Sequence, residues 1–458
     1  MKNPLVTVYI TNHNYGSFIK QAIDSVLEQT LTDFELIIID DGSTDASKDI
    51  IEGYADYPAV RIVYQERRGL NATNNIALRL ARGKYIMRLD ADDYLDPNAL
   101  IVLSNTIERD DRIGLVFPDY YLVDRDGHLL GMERRHDFST DVSLYDQPAH
   151  GACTMIRKEY LENVGGYDEQ FTCQDGYDLW IKFIDTYEVM NVNLPLFYYR
   201  QHGSNLTKNE NRILSTRSMI RSAHVKRQRR ERRSVGIIPV RGVSVDPSSV
   251  AMQELAGRPL LRWVVDTALR TRNLDRVIVT SSDPEVLGYA REIPAGDRLL
   301  VIPRPSELGR QNVRAQLTLR YILEQYPVAA LNPEVVVMLS TECPFLTAGF
   351  MDDAVHAFSL FDIDSVITVR PDHSTFYQHN GHGLHSLLPQ DRFTHLERDA
   401  LFRYAGGLSG FDVSVLRRAP EDEALRLGHV VIDQRSAYAV QSAFDLKVAE
   451  FLAQEAQG

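Results

Sequence analysis

Apolar runs of strand length alternate with amphipathic helical patterns along the first half of the chain. LVTVYIT at 5–11 predicts a strand, and apolar side chains between Phe18 and Leu27 recur at helical spacing. FELIIID at 34–40 is almost wholly apolar, as in a strand that is buried on both faces. A strand, a helix and a strand are predicted next, at 60–65, 71–82 and 84–90. This alternation predicts an α/β fold with a mostly parallel sheet covered by helices.

A second series of the same kind follows a basic run, KRQRRERR at 226–233. It proceeds through SVGIIPV, RPLLRWVVDTAL, RVIVTSS, RAQLTLRYILEQY, EVVVMLS and DSVITVR. We therefore expect two Rossmann-like domains, at 1–225 and 235–458, joined by a basic linker at 226–234. The basic run itself is most simply a solvated linker or helix end. The alternative is a contact with anionic lipid head groups or an acidic glycan.

Composition narrows the classes of protein that need to be considered. The 458 residues are 44% hydrophobic and 25% charged, which is typical of a globular protein with sizeable cores. A formal net charge of -13 argues against nucleic-acid binding, which needs a basic surface. The three cysteines, Cys153, Cys173 and Cys343, are far apart and are expected to be reduced and buried. The sequence offers no signal peptide or membrane-spanning run. We expect a cytoplasmic protein with at most peripheral contact at the inner face of the membrane.

Acidic clusters occur at the ends of two predicted strands, Asp40-Asp41 and Asp90-Ala91-Asp92-Asp93. In open α/β sheets the chemistry collects at the carboxyl ends of the strands. Two aspartates at i and i+2 on such a loop can direct carboxylates at one Mg²⁺ or Mn²⁺ ion. The alternative is an Asp-rich turn that caps the next helix.

Three long segments in order resemble the family 2 glycosyltransferases of the GT-A fold. They are PLVTVYITNHNYGSFIKQAIDSVLEQTLTDFELIIIDDGSTD, GLNATNNIALRLARGKYIMRLDADD and RKEYLENVGGYDEQFTCQDGYDLWIKF, within 4–205. The resemblance implies that Thr11 and His13 line the base pocket and that Asp41 accepts a hydrogen bond from the pyrimidine or ribose. It places Asp90 near the ribose and makes Asp92 the direct ligand of Mn²⁺ or Mg²⁺.

The same resemblance makes Asp175 the catalytic base, with Asp178 as the second candidate. One base and no protein nucleophile imply single displacement with inversion at the anomeric carbon. YRQHGSN at 199–205 matches an element that closes over the diphosphate, so Arg200 and His202 are candidate phosphate or metal contacts. The chain departs from many relatives at Thr73-Asn74-Asn75, where an arginine that could pair with pyrophosphate is missing.

The second half resembles the acylneuraminate cytidylyltransferases, which activate nine-carbon sugar acids with CTP. The matching pieces include IIPVRG, LAGRPLLRWVVDTAL, DRVIVTSSDPEVLGYA, RPSELGR and VVVMLSTECPFLTAGFMDDAV. Both lysine positions of the family's opening loop are valine here, Val245 and Val250, and a glycine position is Asp246. The family's metal-binding Asp-Ile-Asp aligns with Ala439-Val440-Gln441. We expect a degenerate site, of which Arg241, Ser244 and Asp283 are the remaining members.

The leading hypothesis is a metal-dependent, inverting glycosyltransferase of the hexosyltransferase type, fused to a cytidylyltransferase-like domain that no longer activates sugars. Its partners would be a nucleoside-diphosphate sugar, UDP-linked in the first instance, and a glycan, glycolipid or glycoprotein acceptor in bacterial surface polysaccharide or glycoprotein synthesis. The second domain could also shape a homo-oligomer. One alternative is a bifunctional enzyme that also makes a CMP-activated nine-carbon sugar acid. Another is a non-catalytic scaffold.

Overall fold

The chain folds into two compact units, which are described here separately. The computed structural model describes residues 3–133, 151–202, 210–372, 374, 376–379, 381, 383–387, 402–418 and 425–455. The first unit comprises residues 1–220, and the described residues between 374 and 387 group with it. The second unit comprises residues 221–372 and 400–458.

The first unit begins with four parallel strands and the helices that cover them. In chain order these elements are β1 (Val6–Asn12), α1 (Ile19–Leu27), β2 (Phe34–Asp41), α2 (Ser47–Glu52), β3 (Val60–Gln65), α3 (Leu70–Leu80) and β4 (Tyr85–Asp90). The strands lie in the order β3-β2-β1-β4, and each neighbouring pair is parallel. The apolar positions of α1 that repeat at helical spacing are buried against this sheet, namely Ile19, Ala22, Ile23 and Val26.

The rest of the first unit extends this sheet with mixed pairing. Its elements are β5 (Tyr94–Leu95), α4 (Ala99–Ile107), β6 (Ile113–Val123), β7 (Leu129–Glu133), β8 (Met155–Arg157), α5 (Lys158–Asn163), α6 (Asp175–Ile184), β9 (Glu188–Arg200) and the part of α7 (Glu210–Gln228) up to residue 220. The order β3-β2-β1-β4-β8-β6-β9-β5 makes one sheet, with β7 on β6. Strand β8 is antiparallel to β4 and β6, whereas β6 and β9 are parallel. Separate apolar clusters cover the two faces of the sheet.

The second unit repeats the α/β layout. Its elements begin with β10 (Ser234–Pro239), β11 (Glu254–Leu255), β12 (Arg258–Pro259), α8 (Leu260–Arg270), β13 (Arg276–Ser281), α9 (Pro284–Arg291), β14 (Leu299–Pro303), α10 (Ala315–Glu324) and α11 (Tyr326–Ala329). They continue with β15 (Val335–Leu339), α12 (Ala348–Leu360), β16 (Ser365–Pro371), β19 (Phe402–Asp412), α13 (Val413–Arg417), β20 (Leu427–Val431) and α14 (Ala443–Glu455). Strands β17 (Tyr377–His379) and β18 (Leu384–Ser386), which lie between β16 and β19 in the chain, group with the first unit. The main sheet has the order β14-β13-β10-β15-β19-β16-β20, while β17 and β18 form a separate hairpin.

The predicted α/β class is confirmed, and the strands and helices predicted in both halves are present to within a few residues. The basic run begins in the last turn of α7, at Lys226 and Arg227, and ends just before β10. All three cysteines are free and buried. Within the described residues, no helix combines the length and apolar character required to cross a membrane.

Candidate active site

The carboxyl ends of β1, β2 and β4 bring the predicted donor-site residues together. Register pairs Asn12 with Asp40 and Thr11 with Asp90, because β1 lies between the other two strands. The Thr11 hydroxyl lies 3.4 Å from Asp90 Oδ1. Two acidic clusters that are about fifty residues apart in sequence therefore share one edge of the sheet.

Asp41 and His13 are fixed by local hydrogen bonds. The Asp41 carboxylate accepts from the backbone N–H groups of Arg68 and Gly69, at 2.7 and 2.8 Å, and from the Gln65 amide at 2.7 Å. It thereby holds the turn that begins α3, at Gly69, whose φ of 88° favours glycine. His13 Nδ1 lies 2.8 Å from the Asp41 carbonyl oxygen, which fixes the imidazole ring beside the β2 end.

Asp92 and His202 form a nearly buried pair. His202 Nε2 and Asp92 Oδ2 are 2.9 Å apart. The imidazole ring stacks on Phe18, with centroids 5.4 Å apart, and meets Tyr15 edge-on. Burial, and after it the Asp90 carboxylate, raises the pKa of Asp92. A cation at this pair would offset the concentrated negative charge.

Arg200 supports the turn that carries these carboxylates. Its backbone N–H donates to Asp93 Oδ1 at 2.9 Å, and its Nε donates to the Asp92 carbonyl at 2.9 Å. The other guanidinium nitrogens donate to the Asp124 and Arg125 carbonyls and to Gln21 Oε1. Since Arg200 is only 2% exposed and every guanidinium nitrogen is engaged, the geometry favours a supporting role over direct phosphate contact.

Arg88 joins the donor side of the site to the candidate base. This buried arginine of β4 contacts Asp175 through Nη1, and its Nε lies 3.0 Å from Asp90 Oδ1. Burial opposes the charge on Arg88, but Asp175 and then Asp90 outweigh it, and its pKa lies well above the ordinary value. Gly151 packs so closely that a Cβ there would lie 2.5 Å from Arg88 Nη2.

The two candidate bases have different surroundings. Asp175 is the first residue of α6, preceded by Gln174 in the left-handed conformation with φ of 61°. Asp178 lies one turn later, is 1% exposed, and pairs with Lys182 at 2.7 Å. Of the two aspartates, Asp175 is the one that the structure links to Asp90 through Arg88.

The sequence analysis did not select Arg88 or Asp93. Arg88 had a usable signal, since it is the one charged residue inside the apolar stretch YIMRL, and a buried guanidinium needs a partner. Asp93 is 1% exposed, and its Oδ2 atom has no hydrogen-bond partner among the described residues. Burial, then Asp92 and Asp90, raises the pKa of Asp93 well above its usual value. At the departure from the family pattern, Asn74 is buried and accepts from the Tyr9 hydroxyl at 3.2 Å.

In the second unit, the residues at the corresponding strand ends bond to one another. The Ser244 hydroxyl donates to Asp283 Oδ2 at 2.6 Å, and Asp283 also caps α9 through Glu285. A Cβ at Gly242 would collide with the Asp283 carboxylate. Arg241 donates to the Arg310 carbonyl at 3.4 Å. This leaves the loop closed around its own polar groups.

Val250, at a lysine position of the resembled family, is apolar and buried here, and so is Val440, at the isoleucine between that family's two metal-binding aspartates. Val250 is 6% exposed and Val440 is fully buried, and both belong to one apolar cluster with Leu255, Leu260, Phe345, Ala449 and Ala453. Arg304, which directly follows β14, donates to the carbonyls of Thr280 and Val240. Burial, followed by Arg241, lowers the pKa of Arg304 to about 10.

Comparison with known proteins concerns less than half of the chain. Over 203 residues it is 30% identical to a chondroitin synthase from Escherichia coli, covering 44% of this chain and 30% of that protein. Over 205 residues it is 31% identical to a hyaluronan synthase from Pasteurella multocida, and the match covers 44% of this chain and 21% of that protein. An uncharacterized glycosyltransferase from Bacillus subtilis is 38% identical over 220 residues. That match covers 45% of this chain and 63% of the relative. The chain thus spans less than a third of the two synthases.

Solved structures with some likeness include Staphylococcus aureus TarS in complex with UDP, at a TM-score of 0.40 and 16% identity, covering 48% of this chain and 65% of that one. A mannosyltransferase from Pyrobaculum calidifontis with GDP-Man and Mn²⁺ also has a TM-score of 0.40, with 20% identity and coverage of 49% and 65%. The sequence model of the family described as glycosyl transferase family 2 matches residues 7–165. Residues 7–165 of the chain are therefore similar to the glycosyl transferase family 2 domain.

Proposed function

We propose that the first unit is a metal-dependent, inverting glycosyltransferase that moves a sugar from a nucleoside diphosphate to an acceptor hydroxyl. One observation carries the proposal. Arg88 contacts both Asp90 and Asp175, so the donor side and the candidate base are parts of one buried ionic network. The domain match at residues 7–165 supports the reaction class.

The chemistry of the Asp92 and His202 pair fits a divalent cation. A carboxylate oxygen and an imidazole nitrogen 2.9 Å apart can both reach one ion at ordinary bond lengths of about 2.1 Å. Mg²⁺ and Mn²⁺ accept one or two protein ligands and take further oxygens from substrate phosphates and water. Such an ion supplies charge neutralisation to a departing diphosphate. The donor is UDP-linked in this proposal, with Asp41, Thr11 and His13 at its nucleoside.

Asp175 acts as the general base in this reaction. Its carboxylate takes the proton of the acceptor hydroxyl while that oxygen bonds to the anomeric carbon and the bond to the diphosphate breaks. Arg88 positions the carboxylate, because its guanidinium contacts Asp175 and is itself fixed by Asp90 and by the close approach of Gly151. Attack opposite the leaving group inverts the anomeric configuration.

The named relatives support a polysaccharide as the product. Two of them are a chondroitin synthase and a hyaluronan synthase, so we propose hexosyl transfer in the synthesis of a surface polysaccharide or a related glycan, carried out in the cytoplasm.

Calorimetric titration with UDP tests the proposed donor site. We expect UDP to bind the full chain in Mn²⁺ and to lose about tenfold in affinity in EDTA, because the cation that Asp92 and His202 would hold would offset the charge of the diphosphate. His202→Ala should reproduce the loss. His128→Ala, which changes an exposed histidine paired with Asp124, is the matched control. Equal affinity with and without metal would refute the metal role.

For the second unit, we propose a cytidylyltransferase-like domain that no longer turns over CTP. Its support is the apolar packing of Val250, at a position where the family carries a lysine. Ala439 and Gln441 stand where the family carries two metal-binding carboxylates. Ser244 and Asp283 meanwhile satisfy each other. Phosphoryl chemistry requires positioned cations. The lysines and the metal-binding carboxylates that provide them in the family are replaced here.

A further inference from the structure

The turn that presents Asp175 has a strained backbone. Gln174, the residue before it, has φ of 61° and ψ of 32°, in the left-handed region that residues other than glycine adopt at a cost in energy. The Gln174 carbonyl accepts from the backbone N–H groups of Tyr177 and Asp178, at 3.0 and 3.2 Å, and so begins α6. Such a conformation persists only where neighbouring groups hold it. Contacts on Gln174 therefore affect the position of the Asp175 carboxylate.

Three side chains of α7 hold the three consecutive residues that precede Asp175. The pairs are Arg212 Nη2 with the Thr172 carbonyl at 3.1 Å, the Cys173 thiol with Thr216 Oγ1 at 3.2 Å, and Arg217 Nε with Gln174 Oε1 at 2.7 Å. Positions 212 and 216 are one helical turn apart and 217 follows directly, so adjoining positions on one side of α7 make all three contacts. The contact from Arg217 is the shortest of the three, and it reaches the strained residue itself.

Arg217 also contacts the chain on the other side of Asp175. Its guanidinium carbon lies 5.2 Å from the ring centroid of Tyr177, which is within the range of a cation–π interaction. Tyr177 is 1% exposed, so its ring is fixed in the core. Arg88 meanwhile contacts the Asp175 carboxylate directly. One arginine thus holds the side chain of the proposed base, and another holds the backbone turn that carries it.

We propose that Arg217 is a positioning residue for Asp175. By holding Gln174 in the left-handed conformation, it keeps the Asp175 carboxylate directed at the acceptor hydroxyl. This inference rests on the proposed glycosyltransferase function and adds to it a contribution from α7, which lies beyond the matched residues 7–165. Proton transfer requires hydrogen-bond geometry, so a small displacement of the base removes much of its effect. The loss of Arg217 should therefore appear in kcat.

The experiment follows UDP release from UDP-N-acetylglucosamine and UDP-glucose by the full chain in Mn²⁺. Water replaces the acceptor hydroxyl: its oxygen bonds to the anomeric carbon, the bond from that carbon to the diphosphate breaks, and Asp175 takes the proton. The variants are Arg217→Met, Arg217→Lys and Gln174→Gly. Arg82→Met is the matched control, because Arg82 Nε donates to Glu35 Oε2 at 2.8 Å in another part of the unit. Thermal unfolding is measured for every variant.

We expect Arg217→Met to lower kcat about tenfold, with the KM for the donor and the affinity for UDP in Mn²⁺ close to native. Arg217→Lys should recover most of the loss, because lysine keeps a donor for Gln174 and a charge over Tyr177. Gln174→Gly should lower kcat at a nearly native unfolding temperature, since relief of the left-handed strain offsets the lost hydrogen bond. A merely structural contact would not produce that combination. Arg82→Met should change the unfolding temperature alone.

A double variant, Arg217→Met with Asp175→Asn, shows whether Arg217 acts through the base. If it does, the double variant should be no slower than Asp175→Asn alone. The inference is wrong if the two losses multiply, if Arg217→Met keeps the native kcat, or if Arg82→Met loses as much kcat. A native chain that binds no UDP in Mn²⁺, or that releases none from either donor, would instead refute the proposed function, and the inference with it.

Discussion

The two units use the carboxyl ends of their parallel strands in opposite ways. In the first unit, Asp90 and Asp175 meet around Arg88, and Asp92 meets His202, so charged groups converge on one place. In the second unit, the strand-end polar groups bond to one another, and valines fill an apolar cluster. The same α/β layout therefore accommodates converging charged groups in one unit and a closed set of polar contacts in the other, and a few strand-end residues make the difference.

Asp175→Asn should cause the largest change among these predictions, a loss of transfer activity in the first unit. It removes the proposed base while keeping the size of the side chain, so transfer should fall by about 10²–10⁴-fold, the usual contribution of a general base. UDP binding in Mn²⁺ should remain close to native. A radiochemical or coupled transfer assay, alongside calorimetry with UDP, measures both.

Asp178→Asn is the control for that variant. It breaks the buried pair with Lys182, so we expect a loss of about 3–5 kcal/mol in stability with native turnover per folded molecule. Damage to turnover by Asp178→Asn together with a mild Asp175→Asn would move the base assignment to Asp178.

Val250→Lys restores the positive charge that the resembled family carries at this position, and we expect the second unit not to tolerate it. Val250 is 6% exposed in an apolar cluster, and burying an ammonium there should cost about 3 kcal/mol or more in stability. A domain of this size would then unfold about 6–12 °C lower, as calorimetry can measure. Val250→Met, which keeps the site apolar, should change little. A lysine variant of native stability would mean that the site has room for charge.

Arg88→Lys tests the link between Asp90 and Asp175. Lysine keeps the charge but lacks the planar fork that contacts two carboxylates, so kcat should fall about tenfold with little change in stability. Arg157→Lys is a matched buried control, because Arg157 donates to the Ile113 and Ile107 carbonyls and should affect stability alone. Native kcat in Arg88→Lys would show that the link has no positioning role.

For CTP turnover by the second unit we expect no activity, which is the smallest effect predicted here. The full chain with CTP, Mg²⁺ and a panel of nine-carbon sugar acids should release pyrophosphate only at the background rate, because the loop around Ser244 and Asp283 offers no lysine. Arg241→Ala should leave that background unchanged. Turnover that disappears in Arg241→Ala would instead favour a bifunctional enzyme.

Much of the fold could be predicted from periodicity, because buried strands such as FELIIID and amphipathic helices such as α1 carry their pattern locally. The acidic clusters could likewise be placed at strand ends. The short strand β5 escaped prediction, since two residues carry no period and its pairing with β9 is a long-range contact.

The site was predicted less completely, for a physical reason. Which carboxylate meets which cation depends on contacts between distant segments, and Arg88 reaches Asp175 across 87 residues of sequence. The stacking of Tyr94 on Tyr198 depends on strand register in the same way. Sequence could flag Arg88 as a buried charge that needs a partner, but only the fold identifies that partner. The domain limits and the roles of the site residues stay predictions.

The alternation of side chains along the end of β9 has a mechanical consequence. Tyr198, Arg200 and His202 occupy every second position, so one short stretch of backbone presents a ring to Tyr94, a guanidinium to the Asp92 turn and an imidazole to Asp92 itself. A slip of this stretch by one residue would turn all three away together. Ring packing, support of the turn and the contact with Asp92 thus depend on one backbone register, and a displacement at one of them affects the others.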